Sequence, residues 1–558
     1  MCSIAGIISK DGSDVSEKIK EMLNTIEHKG PNGSGLLIGD KIHRGFTLEE
    51  LNFDQESTMA MGHTQITVDG DSQQSIQDGN ERLTVVHNGE IYNYKELQKE
   101  LEDEHGSTST RTESETETLT HLLEESYDGD LEAAVSKVLP QLDGAYAFAV
   151  SDGEEFVIAR DVIGVKQLYI GENENYIGFA SERKALWKLG ISGEERLLPG
   201  HMAKISSNGI TVKSVLEAPI NQQPLIYDPQ EAIESYGKAL MESVKKRVNG
   251  FERVGVIFSG GIDSVLIARI ASFFADVTCY TAGIEGSMDL EQSRSAASEM
   301  GMEIKVKELD VEDIEKYTPE VMEAIEDRLF LQVEAGIPVY AALEMAYEDG
   351  QEVVLSGQGP DELFGGYPWY RKVIAKEGYQ KLEHHMLDDL QHAHCETLER
   401  EVKMAEVNGL SFRYPYVDPQ VIILALQIDT KLKIRSSEDK LGKYIHREFA
   451  KRVGVPAELA DRPKEAAQHG SGVHEAILKT AKRNGFTEDV VKETGYNSDK
   501  SIREKLGSSI RYGYKYGGKR LWKTPDYLQL YLDMISLQKD LINESELKYA
   551  KTKLASVT

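Results

Sequence analysis

Apolar and polar positions follow two different periods along this chain. Residues 1 to about 210 carry short apolar or alternating runs that Gly, Asn and Asp separate, which is typical of strands. Such runs lie at Leu83–Val86, Ala145–Val150 and Phe156–Ala159. Helical periodicity is confined to Ser16–Ile26 and Thr116–Ser126, and the Ser-, Thr- and Glu-rich segment Thr108–Thr120 is expected to be a loop. The pattern predicts a layered sheet domain with a few helices.

From Gln230 the pattern changes to short apolar strands that alternate with helices. The predicted strands are Val254–Phe258, Val277–Thr281, Ile304–Val306 and Val353–Leu355. This alternation predicts a parallel sheet covered by helices, an α/β domain whose chain beyond Gly366 is mainly helical. A proline-rich stretch precedes it and predicts a linker. We therefore expect three parts: a first domain over 1–210, a linker over 211–229 and a second domain over 230–558.

Composition narrows the class of protein. A chain of 558 residues is too long for one hydrophobic core, which agrees with two domains. The net charge of −31, from 63 basic and 94 acidic residues, argues against binding to nucleic acid, which needs a basic surface. Three scattered cysteines indicate a reducing, cytoplasmic compartment rather than a disulfide framework. The sequence has neither an export signal nor a run of about 18 apolar residues, so we expect no membrane span.

Cys2 follows Met1 directly and is the first candidate for chemistry. Removal of Met1 would give one residue both a thiol and a free α-amine. The thiol is nucleophilic only as thiolate, and an α-amine with a pKa of about 8 can take the thiol proton. Cys2 is therefore a candidate nucleophile with a built-in general base.

The segments that follow Cys2 resemble the glutaminase domain of class II glutamine amidotransferases. Order and spacing agree for Cys2–Gly6, His28–Gly35, Gly62–Thr64, His87–Asn93, Leu142–Ala149, Ala159–Asp161 and Phe179–Glu182. The resemblance implies an α+β fold, the Ntn-type αββα sandwich, with Cys2 as nucleophile. It also implies an oxyanion hole at Asn88 and Gly89, which suits a side-chain amide followed by an approachable backbone N–H. The alternative for Asn88-Gly89 is an ordinary hairpin turn.

A second site is predicted where the strand Val254–Phe258 runs into Ser259–Ser264 and then into a helix. A strand, a glycine-rich turn and a helix N-terminus form an anion site, because backbone N–H groups point outward and the helix dipole favours negative charge. No Lys follows the second Gly, so the loop is not a Walker motif and resembles the loop of enzymes that cleave ATP to AMP and pyrophosphate. Asp263 is a candidate magnesium ligand.

The cluster Leu355–Tyr367 also follows an apolar strand. Because the ends of parallel strands meet at one crevice, this loop should face the first one. Asp361 is then a plausible second magnesium ligand.

With these two clusters, nearly the whole chain resembles the glutamine-hydrolysing asparagine synthetases, and C-terminal segments are similar to their archaeal branch. The resemblance implies that aspartate attacks ATP to give β-aspartyl-AMP, from which ammonia arriving by an internal passage displaces AMP. It implies Lys464 as catalytic lysine and Asp289 near the nucleotide and aspartate. Family members are often homodimers. The nucleotide contacts it implies are Phe258, Ser259, Gly260, Gly261, Asp263, Ser264, Ala282, Ser356 and Gly357.

Five positions depart from the family pattern, and two of them, Lys29 and Asn32, replace Arg and Asp in the usual His-Arg-Gly-Pro-Asp. Gln65 stands where the family has the Arg that pairs with the glutamine α-carboxylate, and Glu115 replaces a shorter Asp that holds the α-amine. Glu90, also implied in substrate binding, is retained. Gln358 replaces a Glu proposed to accept a proton from ammonia, and a neutral amide cannot do this. A working but weak glutaminase is expected unless another cation, Arg44 or Arg111, replaces the missing Arg.

Three alternatives stay open on the sequence alone. The chain could prefer free ammonia, or it could be a ligase for another carboxylate, related to the β-lactam synthetases. It could also be a regulator without catalysis, for which Gln65 and Gln358 are the only support.

Overall fold

The computed structural model of the chain describes residues 2–65, 77–78, 82–105, 114–217, 224–463, 470–506, 514–515, 519–520 and 524–554. The chain forms two compact units, Met1–Ala218 and Pro219–Thr558.

The first unit is built from antiparallel strands and short helices. Its strands are Cys2–Ser9 (β1), Ser34–Ile38 (β2), Lys41–Gly45 (β3), Met59–Gln65 (β4), Gln77–Asp78 (β5), Thr84–Ile91 (β6), Gly144–Ser151 (β7), Phe156–Arg160 (β8), Tyr169–Glu172 (β9), Tyr176–Ala180 (β10), Glu195–Arg196 (β11), His201–Ser206 (β12) and Gly209–Ser214 (β13). Its helices are Ser16–Asn24 (α1), Tyr94–His105 (α2), Glu115–Ser126 (α3), Leu131–Val138 (α4) and Arg183–Trp187 (α5).

Two sheets stack face to face in this unit. One has the order β11-β9-β10-β1-β4-β2-β3 and the other β13-β12-β8-β7-β6-β5. Alternate residues of both sheets, such as Ile4 of β1 and Val86 of β6, share one apolar core. The opposite faces pack against α1 and α5 on one side and against α2, α3 and α4 on the other. The four-layer αββα sandwich expected from the sequence is therefore confirmed.

Two local predictions for this unit are wrong. The expected loop Thr108–Thr120 contains the start of α3, because Ser114 caps the helix by accepting a hydrogen bond from the N–H of Glu117 at 3.1 Å; residues 106–113 lie outside the described part. The first residues of the predicted linker, 211–214, lie in β13, which pairs with β12 along its whole length.

The second unit alternates strands and helices and then becomes helical. Its strands are Arg253–Ile257 (β14), Asp276–Ile284 (β15), Glu303–Leu309 (β16), Val353–Leu355 (β17), Ser411–Arg413 (β18), Tyr514–Lys515 (β19) and Lys519–Arg520 (β20). Its helices are Pro229–Val248 (α6), Ile262–Ala271 (α7), Met288–Met300 (α8), Val311–Ile325 (α9), Phe330–Glu348 (α10), Pro360–Phe364 (α11), Tyr370–Glu377 (α12), Tyr379–Ala393 (α13), Glu399–Val407 (α14), Pro419–Gln427 (α15), Tyr444–Arg452 (α16), Ala457–Ala460 (α17), Val473–Arg483 (α18), Glu488–Thr494 (α19), Ser498–Leu506 (α20), Asp526–Lys539 (α21) and Lys548–Leu554 (α22).

The main sheet of this unit has the order β16-β15-β14-β17-β18 and is parallel throughout. Strands β14 and β17 are neighbours, so the loops that follow them leave the same edge of the sheet. Among the described helices, none alone has the length and apolar composition to cross a membrane. Helices α9 and α10 together meet those two criteria but bend by 108° between them.

A buried arginine ties the junction of α9 and α10 to the C-terminal helices. Arg328 is fully buried, and its guanidinium donates to Asp533 Oδ1 at 2.7 Å and to Ser501 Oγ at 2.8 Å. The other oxygen of Asp533 accepts from the hydroxyl of Tyr496 at 2.6 Å. A buried ion pair in which both terminal nitrogens of the guanidinium and both carboxylate oxygens are hydrogen-bonded fixes the relative position of these segments.

We predict that Arg328→Met lowers the stability of the C-terminal helices by about 3–5 kcal/mol, because Asp533 would remain as a buried charge without its cation. Hydrogen exchange of α21 amides measures this loss. The double variant Arg328→Met, Asp533→Leu should recover part of it, and an unchanged exchange rate in the single variant would contradict the assignment.

Candidate functional site

Cys2 begins the central strand β1 of the first sheet. It is 3% exposed, and its partner across the ladder to β4 is Gln65. Side chains alternate along a strand, and Ile4, two residues on, lies in the core between the sheets. By the same alternation Asn88 shares the inward face of β6 with Val86. Cys2, Gln65 and Asn88 therefore all face the layer between the two sheets.

The side-chain amide of Asn88 is fully buried, and neither its nitrogen nor its oxygen has a hydrogen-bond partner among the described residues. An unsatisfied buried amide costs about 1–3 kcal/mol, so it is unusual outside functional sites. Gly89 next to it has a φ of +135°, and a Cβ there would lie 2.1 Å from the carbonyl oxygen of Ala145. Asn88-Gly89 lies within strand β6, which rules out the hairpin-turn alternative.

One position that departs from the family pattern, Gln65, lies at this layer. Gln65 is 2% exposed, and its Oε1 has no hydrogen-bond partner in the described part of the chain. A Cβ at Gly33 would lie 2.6 Å from Gln65 Cγ, so the loop before β2 packs directly on this side chain. Arg44 is exposed on β3, two strands from β4, and Arg111 lies outside the described residues.

Glu90 and Glu115 lie at the end of β6. Glu90 is half-buried beside Gly89, and Glu115, at the start of α3, accepts a hydrogen bond from the N–H of Ile91 at 2.9 Å. One oxygen of Glu115 is therefore already used by the backbone. Burial, helped by the charge of Lys166, lowers the pKa of His87 to about 3, so this imidazole is neutral near pH 7.

A buried cluster of charges anchors the loop that covers Gln65. The carboxylate of Glu182 lies 2.7 Å from Lys184 Nζ, 3.0 Å from Lys29 Nζ and 3.4 Å from His28 Nε2. Burial by itself would raise the pKa of Glu182, but these cations hold it well below its usual range. His28 and Lys29 directly precede Gly30, so the cluster fixes the loop Gly30–Gly33. No motif in the sequence indicated this pairing.

In the second unit the loop after β14 has the conformation of an anion-binding turn. Gly260 has a φ of +69°, and a Cβ there would lie 2.7 Å from the backbone of Gln292. Ser259 Oγ accepts from the N–H of Gly261, and Ser264 Oγ donates to its carbonyl at 3.1 Å. The N-terminal N–H groups of α7 are thus left at the edge of the sheet.

The loop after β17 packs against this turn. A Cβ at Gly357 would lie 3.0 Å from the backbone nitrogen of Ser264, so only glycine allows the two loops to approach this closely. Phe258 and Ala282 are buried on neighbouring strands, and Ser356 is buried beside Gly357. The structure thus brings together the residues predicted to bind the nucleotide.

Asp263 and Asp361 converge on one cation of the protein. Lys443 Nζ lies 2.6 Å from Asp263 Oδ2 and 2.7 Å from Asp361 Oδ1. His446 Nε2 lies 3.2 Å from the other oxygen of Asp263. Burial lowers the pKa of Lys443, while Asp263 opposes the shift. Lys443 has a left-handed backbone with φ +51°. Its role could not be recognised from the sequence, because no motif singles it out.

Asp289 is on the helix that the Gly260 turn contacts. Asp289 is in the first turn of α8, and a Cβ at Gly470 would lie 2.0 Å from its Oδ1. Asp289 therefore contacts the chain immediately after residues 464–469. Lys464 belongs to that segment and lies outside the described residues.

An αββα unit with an N-terminal thiol and a parallel-sheet unit with an anion-binding turn define a two-site protein of the amidotransferase-ligase class. A family profile described as asparagine synthase matches residues 235–377 and 374–534, and one described as glutamine amidotransferase domain matches 1–196. The chain belongs to the asparagine synthase family, as its motifs predicted.

Named relatives support this placement. A putative asparagine synthetase (glutamine-hydrolyzing) 1 of Methanocaldococcus jannaschii is 34% identical over 543 residues, which cover 88% of this chain and 98% of that protein. The asparagine synthetase (glutamine-hydrolyzing) of Brassica oleracea is 27% identical, over a match that covers 85% of this chain and 78% of that protein. Among solved structures, one match is the glutamine phosphoribosylpyrophosphate amidotransferase of B. subtilis with ADP and GMP, which is 22% identical. The match covers 55% of this chain and 65% of that chain. Its TM-score of 0.36 is too low to carry an argument.

We predict that Asn88→Leu raises the thermal stability of the first unit, by about 1–3 kcal/mol, because it removes an unsatisfied buried amide. Asn93→Leu is the matched control. Its amide donates to Gln141 and accepts from the N–H of Asp143, so this variant should be destabilised. Thermal unfolding and hydrogen exchange of β6 measure both. If the two variants lost stability alike, Asn88 would have a structural partner instead.

Proposed function

We propose that this protein is a carbon–nitrogen ligase that converts L-aspartate to L-asparagine, with ATP as the activating substrate and glutamine as nitrogen donor. The observation that carries the proposal is the presence, on one chain of the asparagine synthase family, of a buried Cys2–Asn88 site and an anion-binding turn at Ser259–Ser264. In this proposal the glutaminase domain extends through β13, the linker is the part of 211–229 that follows this strand, and 230–558 form the synthetase domain.

At the first site Cys2 Sγ attacks the side-chain amide of glutamine, and the α-amine of Cys2 takes the thiol proton. The oxyanion that forms needs donors already in place. The unsatisfied amide of Asn88 and the N–H of Gly89 are suited to this role. Glu90, Glu115 and Gln65 would contact the amino-acid end of the substrate. The tetrahedral intermediate then expels ammonia, which takes its proton from the α-ammonium group, and leaves a glutamyl thioester on Cys2. Water hydrolyses this thioester to glutamate and restores the thiol.

At the second site the turn Ser259–Ser264 receives the phosphates of ATP, and the neighbouring loop at Ser356 and Gly357 closes beside it. The aspartate β-carboxylate attacks the α-phosphorus, and pyrophosphate leaves. Ammonia then attacks the acyl carbon of β-aspartyl-AMP, and AMP leaves. Lys464 would stabilise charge on the phosphate or the tetrahedral intermediate, and Asp289 would lie near aspartate.

The residues at this edge also fit a magnesium ion. Mg²⁺ in nucleotide sites is held by one or two carboxylates and by phosphate oxygens, and Asp263 and Asp361 are two carboxylates close enough to share one ammonium group. No group of three or more metal-ligating side chains occurs among the described residues, which agrees with ligation completed by phosphates. When bound, the ion would neutralise charge on the phosphates.

A second candidate is a synthetase that prefers free ammonia. The observation in its favour is Gln65, a buried neutral amide where the family has an arginine, with Arg44 two strands away. An amide cannot form the bidentate ion pair that holds an α-carboxylate. Steady-state kinetics with glutamine and with ammonium chloride, compared as kcat/KM, decide between the two donors.

Other features of the proposal rest on composition and family. We infer a cytoplasmic protein without membrane or nucleic-acid partners, since the chain is strongly acidic and its cysteines are few and unpaired with one another. A homodimer is inferred from the family alone.

We predict that Cys2→Ala abolishes asparagine formation from glutamine and leaves formation from ammonium chloride, because only the first site loses its nucleophile. Asn88→Ala should lower glutamine-dependent turnover by about 10²–10³-fold through loss of one oxyanion donor. Both are measured as asparagine formed, with aspartate-dependent pyrophosphate release as the control for the second site. If Cys2→Ala still formed asparagine from glutamine, Cys2 would not be the nucleophile. If the wild type released no pyrophosphate in response to aspartate, the protein would be a regulator or a ligase for another carboxylic acid.

We predict that Lys443→Met destabilises the second unit by about 3–5 kcal/mol and that Mg²⁺ alone then raises its melting temperature more than that of the wild type. The reason is that Asp263 and Asp361 would lose the ammonium that neutralises them. Lys433→Met is the matched control, since burial lowers the pKa of that lysine to about 8 but it faces Glu383 and Asp429 instead. Thermal unfolding with and without magnesium chloride measures the response. If magnesium chloride raised the melting temperatures of both variants equally, Mg²⁺ would not bind where the ammonium group of Lys443 lies.

A further inference from the structure

A buried carboxylate lies behind the second loop of the nucleotide edge, and nothing in the proposed mechanism uses it. Glu401 is on α14 and is 2% exposed. Its Oε1 accepts a hydrogen bond from Gln358 Nε2 at 2.7 Å, and its Oε2 accepts one from Ser356 Oγ at 3.2 Å. Both donors belong to the loop after β17. Glu401 thus contacts the loop at the position where Gln358 departs from the family.

This contact fixes which way the Gln358 amide points. The NH₂ group of Gln358 is the donor of this hydrogen bond and therefore faces Glu401 Oε1. The carbonyl oxygen of Gln358 is then directed away from Glu401. Gln358 is half-buried and lines a small recess together with Glu362, Leu390, Ala393, Thr397 and Val417. Most of these side chains are apolar, Glu362 accepts a hydrogen bond from the hydroxyl of Tyr367, and the side-chain carbonyl of Gln358 is a further acceptor beside the recess.

One cation and two hydrogen-bond donors contact Glu401. Burial raises the pKa of Glu401 above its usual value, and Arg400 with the hydrogen bonds from Gln358 and Ser356 opposes this shift. Arg400 approaches Glu401 Oε1 at 3.5 Å and also donates to Gln332 at 2.8 Å. The other titratable neighbour, Tyr414, donates its hydroxyl hydrogen to the carbonyl of Leu398 at 3.4 Å.

The amination step needs an acceptor of this kind. Ammonia has one lone pair and three N–H donors. For attack, the lone pair must face the acyl carbon, so an acceptor has to hold the N–H groups on the opposite side. The C–N bond then forms, the bond from the acyl carbon to the AMP oxygen breaks, and one proton of the nitrogen is lost to solvent. An amide that presented its NH₂ group would donate a hydrogen bond to the lone pair of ammonia and so hold that lone pair away from the acyl carbon.

Resting on the proposed function, we propose that Glu401 is a positioning residue of the amination step. It holds the Gln358 amide so that the carbonyl oxygen, and not the NH₂ group, receives ammonia beside the acyl-adenylate. In this chain an amide oriented by a buried carboxylate on α14 takes the place of a carboxylate on the loop.

The test measures asparagine formed per pyrophosphate released, with saturating ATP and aspartate and with ammonium chloride as the only nitrogen donor. This ratio reports how often the adenylate is aminated and not hydrolysed, whatever the rate of adenylation. In Glu401→Met the Gln358 amide is free to rotate, and we expect the ratio to fall by about tenfold, with a raised KM for ammonium. Glu401→Gln can still accept through its own carbonyl, so its ratio should fall less.

Two further variants separate positioning from a structural role. The exchange variant Gln358→Glu, Glu401→Gln restores an acceptor at position 358 and a donor behind it, so its ratio should recover toward the wild-type value. The exchange variant also tests the proposal if Glu401→Met does not fold. Glu399→Met is the control, because Glu399 is buried on the same helix but pairs with Lys403, which keeps Glu326 as a partner. Its ratio should stay at the wild-type value.

Three outcomes would overturn the proposal: an unchanged ratio in Glu401→Met, an exchange variant whose ratio is no better than that of Glu401→Met, or a raised KM for ATP with an unchanged ratio. The last would show that Glu401 only supports the nucleotide loop. Failure of the proposed function is distinguishable from these, because the wild type would then release no pyrophosphate in response to aspartate.

Discussion

The second unit depends on one buried ammonium group. Lys443 holds Asp263 and Asp361 together at the carboxyl edge of the parallel sheet. Two carboxylates in a site of low dielectric repel each other strongly, so they approach only when a cation lies between them. The ion pairs join the loop after β14, the loop after β17 and the segment before α16. The same contacts arrange the edge of the sheet for an anionic, magnesium-bearing substrate.

The first unit also contains a buried carboxylate, Glu182, whose charge is balanced by neighbouring cations. Three cations surround this buried carboxylate and fix the loop that packs on Gln65. The amide of Asn88, in contrast, has no hydrogen-bond partner among the described residues. Buried charges that support a site are held by opposite charges, whereas a polar group that acts on a substrate stays available until the substrate arrives. A rigid sandwich of two sheets makes that unpaired state tolerable.

The departures from the family pattern differ in what surrounds them. Gln358 has a buried carboxylate behind it that defines its orientation. Gln65 has no hydrogen-bond partner for its Oε1 among the described residues, and Arg44 lies two strands away. The change at the second site therefore has a compensating partner in the described part of the chain, whereas the change at the first site has none that the described geometry supplies.

The sequence by itself determined the elements and the motifs on them: the strand that begins at Cys2, the glycines at 89 and 260, and the strand–turn–helix at Ser259–Ser264. These are local properties, since alternation of side chains and positive φ angles depend on neighbouring residues. Only the tertiary structure decided the partners of the buried charges. Lys443 is 180 residues from Asp263, and Glu401 is 43 residues from Gln358. Such contacts depend on how helices pack on the sheet, and no periodicity along the chain encodes them.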